Sequence, residues 1–129
     1  MAEDNPFSKL NPEELDRAAQ QHGFTRKGQQ NWVRRTADFV QLVNLQKSQW
    51  SSDDHHLNFA LWPLAIREPP TVAESKFKFR TRGEDLGASD LATLFAAADE
   101  LNTLSDLRDA ERAGRVTGLM AKDLRDLLT

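Results

Sequence analysis

The most distinctive polar cluster in the sequence is Gln46-Lys47-Ser48, which is followed two residues later by Trp50. Two uncharged hydrogen-bonding side chains and one cation at the mouth of a cleft would suit an anionic or peptide ligand. An exposed tryptophan beside a charged loop is a plausible anchor for a protein partner. The structural alternative is that Gln46 and Ser48 satisfy backbone groups at a strand end while Lys47 extends into water. Both interpretations stay open on the sequence alone.

A second candidate is a row of alternating cations: Lys76, Lys78, Arg80 and Arg82. On one face of a strand they would lie ~6.6–6.8 Å apart, a repeat that could follow a phosphate backbone. Cations are also common on exposed edge strands, where they discourage pairing between sheets. A pI of about 5.6 and the lack of a long basic run argue against a nucleic-acid partner. Arg80 and Arg82 nevertheless join the candidate ligand-binding residues.

Catalytic and metal-binding patterns fit poorly. The run Asp53-Asp54-His55-His56 suggests a metal, but adjacent residues of an extended chain point to opposite sides, so both imidazoles would rarely reach one ion. A hydrolase using Ser48 with one of these histidines lacks a nucleophile elbow and an oriented third partner. There is no glycine-rich phosphate loop. We therefore expect no catalytic residue, no metal and no cofactor.

These side chains must be positioned by a sheet. Asn11-Pro12 begins a short helix that Gly23 ends. Alternating and apolar segments then predict a meander of about five antiparallel strands, at residues 24–27, 31–36, 39–46, 57–62 and 75–82. The strand beginning at Phe39 is apolar on both faces, which is typical of a central strand. In the last strand, Phe77 and Phe79 are expected inward and the four cations outward.

The remainder is helical in pattern. Ser89 or Asp90 caps a segment with an apolar stripe from Leu91 to Leu101, and Thr117 caps a last segment rich in leucine. The fold class is therefore α+β: an N-terminal helix, the meander, and two to three C-terminal helices packed on the sheet. A leucine stripe on those helices could also support a homodimer.

Length and composition favour one domain, residues 1–129, with a sheet region at 24–82 and a helical part at 88–129. Cysteine is absent, which excludes disulfides and thiolate chemistry. The N-terminal residues do not resemble a signal peptide, and the longest nearly apolar stretch, 59–66, is too short to span a bilayer. We expect a cytoplasmic protein without membrane contact.

Charge divides between the two parts of the chain. Residues 24–82 hold ten Lys/Arg against five Asp/Glu, whereas residues 84–129 hold five against ten. A basic sheet and acidic helices could form a binding face, but attraction between the two layers is the simpler interpretation.

Five short elements stand out within residues 22–83: Gly23-Phe24, Lys27-Gly28, Trp32-Val33-Arg34, Gln46-Lys47-Ser48 and Asn58-Phe59-Ala60. With these elements the sheet region resembles a bacterial family, the domain of unknown function 4304. Ala60 stands where the family pattern has Gly, and Arg82-Gly83-Glu84 approximates an Arg-x-Gly motif. The resemblance implies an α+β domain from bacteria with no established activity.

The hypothesis that follows is a non-enzymatic module that binds a protein or peptide near Gln46–Trp50. The first alternative is an anion or nucleic-acid binder using the basic face of strand 76–82. The second is the Ser48 hydrolase, which has the least support.

Overall fold

Six antiparallel strands form one sheet, and the computed structural model describes this sheet and its helices over residues 5–47 and 54–129. The strands are β1 Thr25–Lys27, β2 Asn31–Arg35, β3 Phe39–Lys47, β4 His55–Pro63, β5 Phe79–Arg82 and β6 Leu119–Met120; the helices are α1 Pro12–Gln21, α2 Leu91–Asp99, α3 Leu104–Arg112 and α4 Lys122–Leu127. Spatial strand order follows chain order from β1 to β6. The predicted α+β class, with an N-terminal helix, a meander and C-terminal helices, is confirmed.

The helices begin where the sequence places their caps. The Asn11 side chain accepts a hydrogen bond from the Glu13 N–H at 2.7 Å, with Pro12 at the first helical position. Asp90 and Thr93 form a reciprocal capping box at the start of α2. These short polar contacts fix the entry of the chain into each helix.

One face of the sheet, called here the helix face, carries all four helices and the main core. Every side chain in this core is buried; it joins strand residues Trp32, Val43, Phe59 and Phe79 to helix residues Leu15, Phe95, Leu107 and Leu124. Burying large apolar side chains of this kind contributes ~1.5–3 kcal/mol each. The C-terminal helices therefore pack on the sheet, as their leucine stripes predict.

The opposite face, called here the loop face, is covered over only part of its area. Val40, Leu42, Ala60, Trp62 and Phe77 form a smaller buried cluster beneath the segment 64–77. The Trp62 indole donates to the Arg67 carbonyl at 2.7 Å, and Arg35 makes a double ion pair with Glu68 at 2.6 and 2.8 Å. These contacts hold the segment over one half of the face.

The predicted strand at 75–82 is wrong in its first half. Residues Glu74–Lys76 form a 3₁₀ helix, and β5 begins only at Phe79. Phe77 consequently packs in the loop-face cluster while Phe79 packs in the main core, so both are buried but on opposite sides. Lys76 does not belong to the strand, and the expected row of four cations does not form.

The predicted helix capped by Thr117 is wrong at its start. Leu119 and Met120 instead form β6, which pairs with β5 at Arg80 and Phe79. The last helix begins at Lys122. Leu124 and Leu128 are buried in the chain's own core, which leaves Leu127 as the exposed leucine of this helix. The homodimer through the C-terminal helices stays a prediction.

Opposite charges do join the two layers. Arg34 of β2 lies 2.9 Å from Asp99 of α2, and Lys78 lies 2.9 Å from Asp123 of α4. The excess of cations in the sheet region thus serves partly to hold acidic helices in place.

Among residues 5–47 and 54–129, none of the helices has both the length and the apolar composition that a membrane span requires.

Candidate functional site

A chain of side-chain hydrogen bonds crosses four strands on the loop face, beside the half that the segment 64–77 covers. Asn44 donates to Asn31 Oδ1 at 2.8 Å, and Asn58 donates to Asn44 Oδ1 at 2.9 Å. Arg82 then donates to Asn58 Oδ1 at 2.9 Å. The register explains this, because Asn31, Asn44, Asn58 and Arg82 are direct neighbours on β2, β3, β4 and β5.

Gln46, which lies two residues after Asn44 on β3, bonds to the same network. Its Oε1 accepts from Asn58 Nδ2 at 3.0 Å and from Arg82 Nη1 at 3.2 Å. Asn58 is almost fully buried, whereas Gln46 is exposed. Both bonds are made by Nη1 of Arg82, so the network fixes the orientation of the guanidinium. The other guanidinium nitrogens stay available to a ligand.

A pocket of about 360 Å³ opens beside this network, where β5 meets β6. We call it the arginine pocket; its lining includes Gln46, Asn58, Glu74, Arg80, Arg82, Asp85, Gly118 and Leu119. The 3₁₀ helices at Glu74–Lys76 and Gly83–Leu86 supply the two carboxylates. A space of this size suits one side chain or a small polar group, at the lower end of the usual range for ligand sites.

The two arginines of the pocket have no ion-pair partner in the part of the chain that the structure describes. Among the described residues, Arg80 makes one long bond, 3.4 Å, to the Ser75 carbonyl, and Arg82 bonds only to the neutral amides of Asn58 and Gln46. Both are half-buried. This contrasts with Arg34, Arg35 and Lys78, each of which reaches a carboxylate. Arginine presents a planar fork of donors that matches a carboxylate or phosphate.

His56 of β4 is the direct cross-strand partner of Gln46 of β3, so it lies beside the network. Burial lowers the pKa of His56, and the charge of Arg82 lowers it further, while Glu84 and Asp54 act in the opposite direction. The imidazole therefore stays neutral at neutral pH and adds no further cation beside Arg82.

Gly118 lets β6 lie against β5 at the wall of the pocket. A Cβ at this position would sit 2.5 Å from the Arg80 carbonyl oxygen and 3.0 Å from the Phe79 ring. Only glycine permits so close an approach to a neighbouring backbone. The next residue, Leu119, lies on the rim of the pocket and is 65% exposed.

The structure separates the candidate residues that the sequence grouped together. Gln46, Arg80 and Arg82 line the arginine pocket, whereas Lys47 points to the helix face and lines a different pocket. This follows from strand geometry, since successive side chains alternate between faces. Ser48 and Trp50 lie outside the described residues, so their expected roles stay predictions.

Asn58, Glu74, Asp85 and Leu119 were not proposed from the sequence. Asn58 left a signal, because it is a polar residue in an otherwise apolar strand. The two carboxylates and Leu119 left none, since only the tertiary fold brings their loops to the edge of β5.

His55 and His56 point to opposite faces, as expected of neighbours in a strand: His55 lines the helix-face pocket and His56 lies near Arg82. Across the described ranges there is no group of three or more His, Cys, Asp or Glu side chains placed to hold a metal ion.

Comparison with known proteins adds a family. No curated protein and no solved structure matches the chain. One family model, described as "Domain of unknown function (DUF4304)", matches residues 15–129. The match covers the arginine pocket and extends beyond the sheet into the C-terminal helices. The resemblance seen in the sheet region is confirmed, and the chain belongs to the DUF4304 family.

Proposed function

We propose that the chain is a non-enzymatic binding module that holds an acidic group of a peptide or protein partner in the arginine pocket. The observation that carries the proposal is the pair Arg80 and Arg82, which line one pocket without a carboxylate partner in the described structure. A half-buried guanidinium held by neutral amides keeps its charge and its remaining donors for a ligand. A hydrogen bond to such a charged group contributes ~1.5–3 kcal/mol.

The mixed charge of the pocket favours a peptide over a polyanion. Glu74 and Asp85 line the same space as the two arginines. A phosphate chain would meet repulsion from these carboxylates, whereas a peptide offers a carboxylate to the arginines and N–H groups to the acids. Because the Gln46 Oε1 already accepts from Asn58 and Arg82, its Nε2 is the group that can donate to a peptide carbonyl.

Nucleic-acid binding is the weaker alternative. It relied on four regularly spaced cations, and the structure leaves Arg80 and Arg82 as the adjacent pair, with Lys78 bound to Asp123. Two arginines beside two carboxylates would give a shallow dependence of affinity on salt. Nothing within residues 5–47 and 54–129 adds support to the Ser48 hydrolase.

The test is selection from a random peptide library with the immobilised protein, followed by calorimetry on a selected peptide. We expect the selected peptides to share an Asp, a Glu or a free C-terminal carboxylate. Replacing that acid by its amide should weaken binding about tenfold or more, which corresponds to ~1.4 kcal/mol per factor of ten. The variant Arg80→Gln/Arg82→Gln should lose affinity to a similar extent.

The matched control is Arg108→Gln/Arg112→Gln on α3, which removes two arginines far from the pocket. Equal affinity of the pocket variant and the control variant would refute the proposal. Binding of a random single-stranded oligonucleotide that weakens steeply with salt and requires Arg82 would favour the alternative instead.

Three other expectations stay predictions: an anchoring role of Trp50, a bacterial source and a cytoplasmic location.

A further inference from the structure

A second pocket, of about 370 Å³, lies on the helix face at the end of β3 and β4. We call it the lysine pocket; Arg26, Lys47 and His55 line it, above a floor that includes Leu45. The first residues of α1, Pro12 and Glu13, form its other wall. The sheet separates it from the arginine pocket, because Gln46 and Lys47 point to opposite faces.

Strand register places the basic groups of this pocket together. Lys47 and His55 are direct partners across β3 and β4, so their Cβ atoms are ~4.5–5.5 Å apart and both side chains lie on the helix face. Arg26 enters from β1, where it pairs with Trp32. Two permanent cations and one imidazole therefore converge from three strands.

Two buried nitrogen atoms in this pocket lack a hydrogen-bond partner among the described residues: Arg26 Nε and His55 Nδ1. The remainder of the Arg26 guanidinium is fixed, since Nη2 donates to the Gln29 carbonyl at 2.8 Å and the group lies 5.0 Å from the centre of the Trp32 ring. A buried donor left without an acceptor is unfavourable, and such groups in folded proteins commonly meet a water or an ion.

The surrounding charges select the kind of ligand. Arg26 and Lys47 are cationic; Glu13 is the carboxylate of the described lining, and Asp16 lies behind Arg26 with its Oδ2 3.9 Å from Nη1. Pro12 and Glu13 begin α1, a helix of 10 residues whose amino end adds partial positive charge. Guanidinium, ammonium and imidazole donors together match the acceptor oxygens of an oxyanion.

We propose that the lysine pocket binds an oxyanion, a phosphate or carboxylate group, with Arg26, Lys47 and His55 as its ligands. The oxyanion accepts from the Lys47 ammonium at the exposed rim and lies against the Arg26 guanidinium and the His55 ring, which line the same cavity. This site is independent of the peptide site, because it lies on the other face and shares no residue with it.

The test is NMR titration of the whole protein with inorganic phosphate and, separately, with acetate, at constant ionic strength maintained with sodium chloride. We expect saturable shifts of the Arg26 Nε–Hε signal and of the His55 ring signals with at least one of the two anions. Saturation by phosphate alone identifies a phosphate site, and saturation by acetate alone identifies a carboxylate site. Shifts that fail to saturate, or that chloride alone reproduces, would overturn the proposal and leave a water-filled pocket.

Two variants make the test specific. Lys47 is exposed, so Lys47→Gln should fold normally and weaken anion binding about tenfold. Arg26→Gln removes the Nε donor but also the contact with Trp32, so it serves only if its spectrum shows a folded protein. Arg82→Gln, in the arginine pocket, is the control and should bind the anion as the wild type does. Unchanged affinity in Lys47→Gln would contradict the proposal.

Discussion

Arg82 donates from Nη1 to Asn58 Oδ1 at 2.9 Å, and through this bond a cation of the arginine pocket is tied to a nearly buried amide. Asn58 also donates to Asn44 and to Gln46. A single side chain thus joins β3, β4 and β5 and sets the direction of Arg82. Stability and ligand binding should depend on it together.

Replacing Asn58 by alanine should lower the free energy of unfolding by ~1–3 kcal/mol, because Asn44 and Gln46 lose a donor and Arg82 loses an acceptor. Urea denaturation measures this change. Asn31→Ala is the matched control, since Asn31 ends the network on the half-exposed side and should cost less. Equal losses in the two variants would show that the network contributes no more than one ordinary hydrogen bond.

Gln41 is the next test, as a fully buried polar residue of the helix face. Its amide accepts from Arg34 at 2.6 and 3.0 Å and donates to the Ala98 and Leu101 carbonyls at 2.7 and 3.1 Å. Gln41→Leu leaves the Leu101 carbonyl without this donor, whereas the Ala98 carbonyl keeps its bond from the Leu101 N–H at 3.1 Å, so the variant should destabilise the protein by ~1–3 kcal/mol. Gln21→Leu, at an exposed site of α1, should change stability little.

Gly118→Ala tests the contact between β6 and β5. The added Cβ would sit 2.5 Å from the Arg80 carbonyl, so β6 must move and the loss should be ~1–3 kcal/mol. NMR signals of Arg80 and Leu119 should shift with it. Gly28→Ala is the control: its Cβ meets no atom within 4 Å, but its φ of +77° costs about 1–2 kcal/mol of local strain. Unchanged Arg80 signals in Gly118→Ala would mean that β6 does not shape the pocket.

Local signals were sufficient to predict much of the fold. Asn11-Pro12 and Asp90 mark helix starts because capping depends on residues close in sequence. The apolar character of β3 on both faces predicts its central place. The excess of cations in the sheet region indicates ion pairs with the helices, and Arg34–Asp99 is one of them.

The rest depends on information that the sequence does not carry locally. The alternation of apolar and charged residues predicts Phe77 and Phe79 on the same side of the sheet, but this holds only for a continuous strand. The 3₁₀ helix at Glu74–Lys76 breaks that continuity. Leu119 and Met120 form too short a strand to show any period. The arginine pocket requires the register of β3, β4 and β5, so Gln46 could be predicted as a candidate but its hydrogen bond with Asn58 could not.

The last prediction concerns acid. The Lys78 ammonium lowers the pKa of Asp123, mainly through a hydrogen bond and secondly through its charge, while burial acts in the opposite direction. A carboxyl whose pKa is lower in the folded state binds fewer protons there, so its contribution to stability is present above the unfolded pKa of ~3.9 and is lost as pH falls through the folded value. Asp123→Asn should therefore destabilise the protein at pH 7, by less than about 1 kcal/mol because Asp123 is 46% exposed.

As the pH falls through the lowered pKa of Asp123, the difference in free energy of unfolding between the wild type and Asp123→Asn should shrink towards zero, because the wild-type carboxyl becomes protonated. Urea denaturation at pH 7, 4 and 2.5 measures the difference at each step. The control is Asp126→Asn, which removes an exposed i, i+4 pair with Lys122 and should cost no more than ~0.5 kcal/mol at pH 7. A difference between wild type and Asp123→Asn that persists undiminished to pH 2.5 would show that the carboxylate charge is not what Lys78 stabilises.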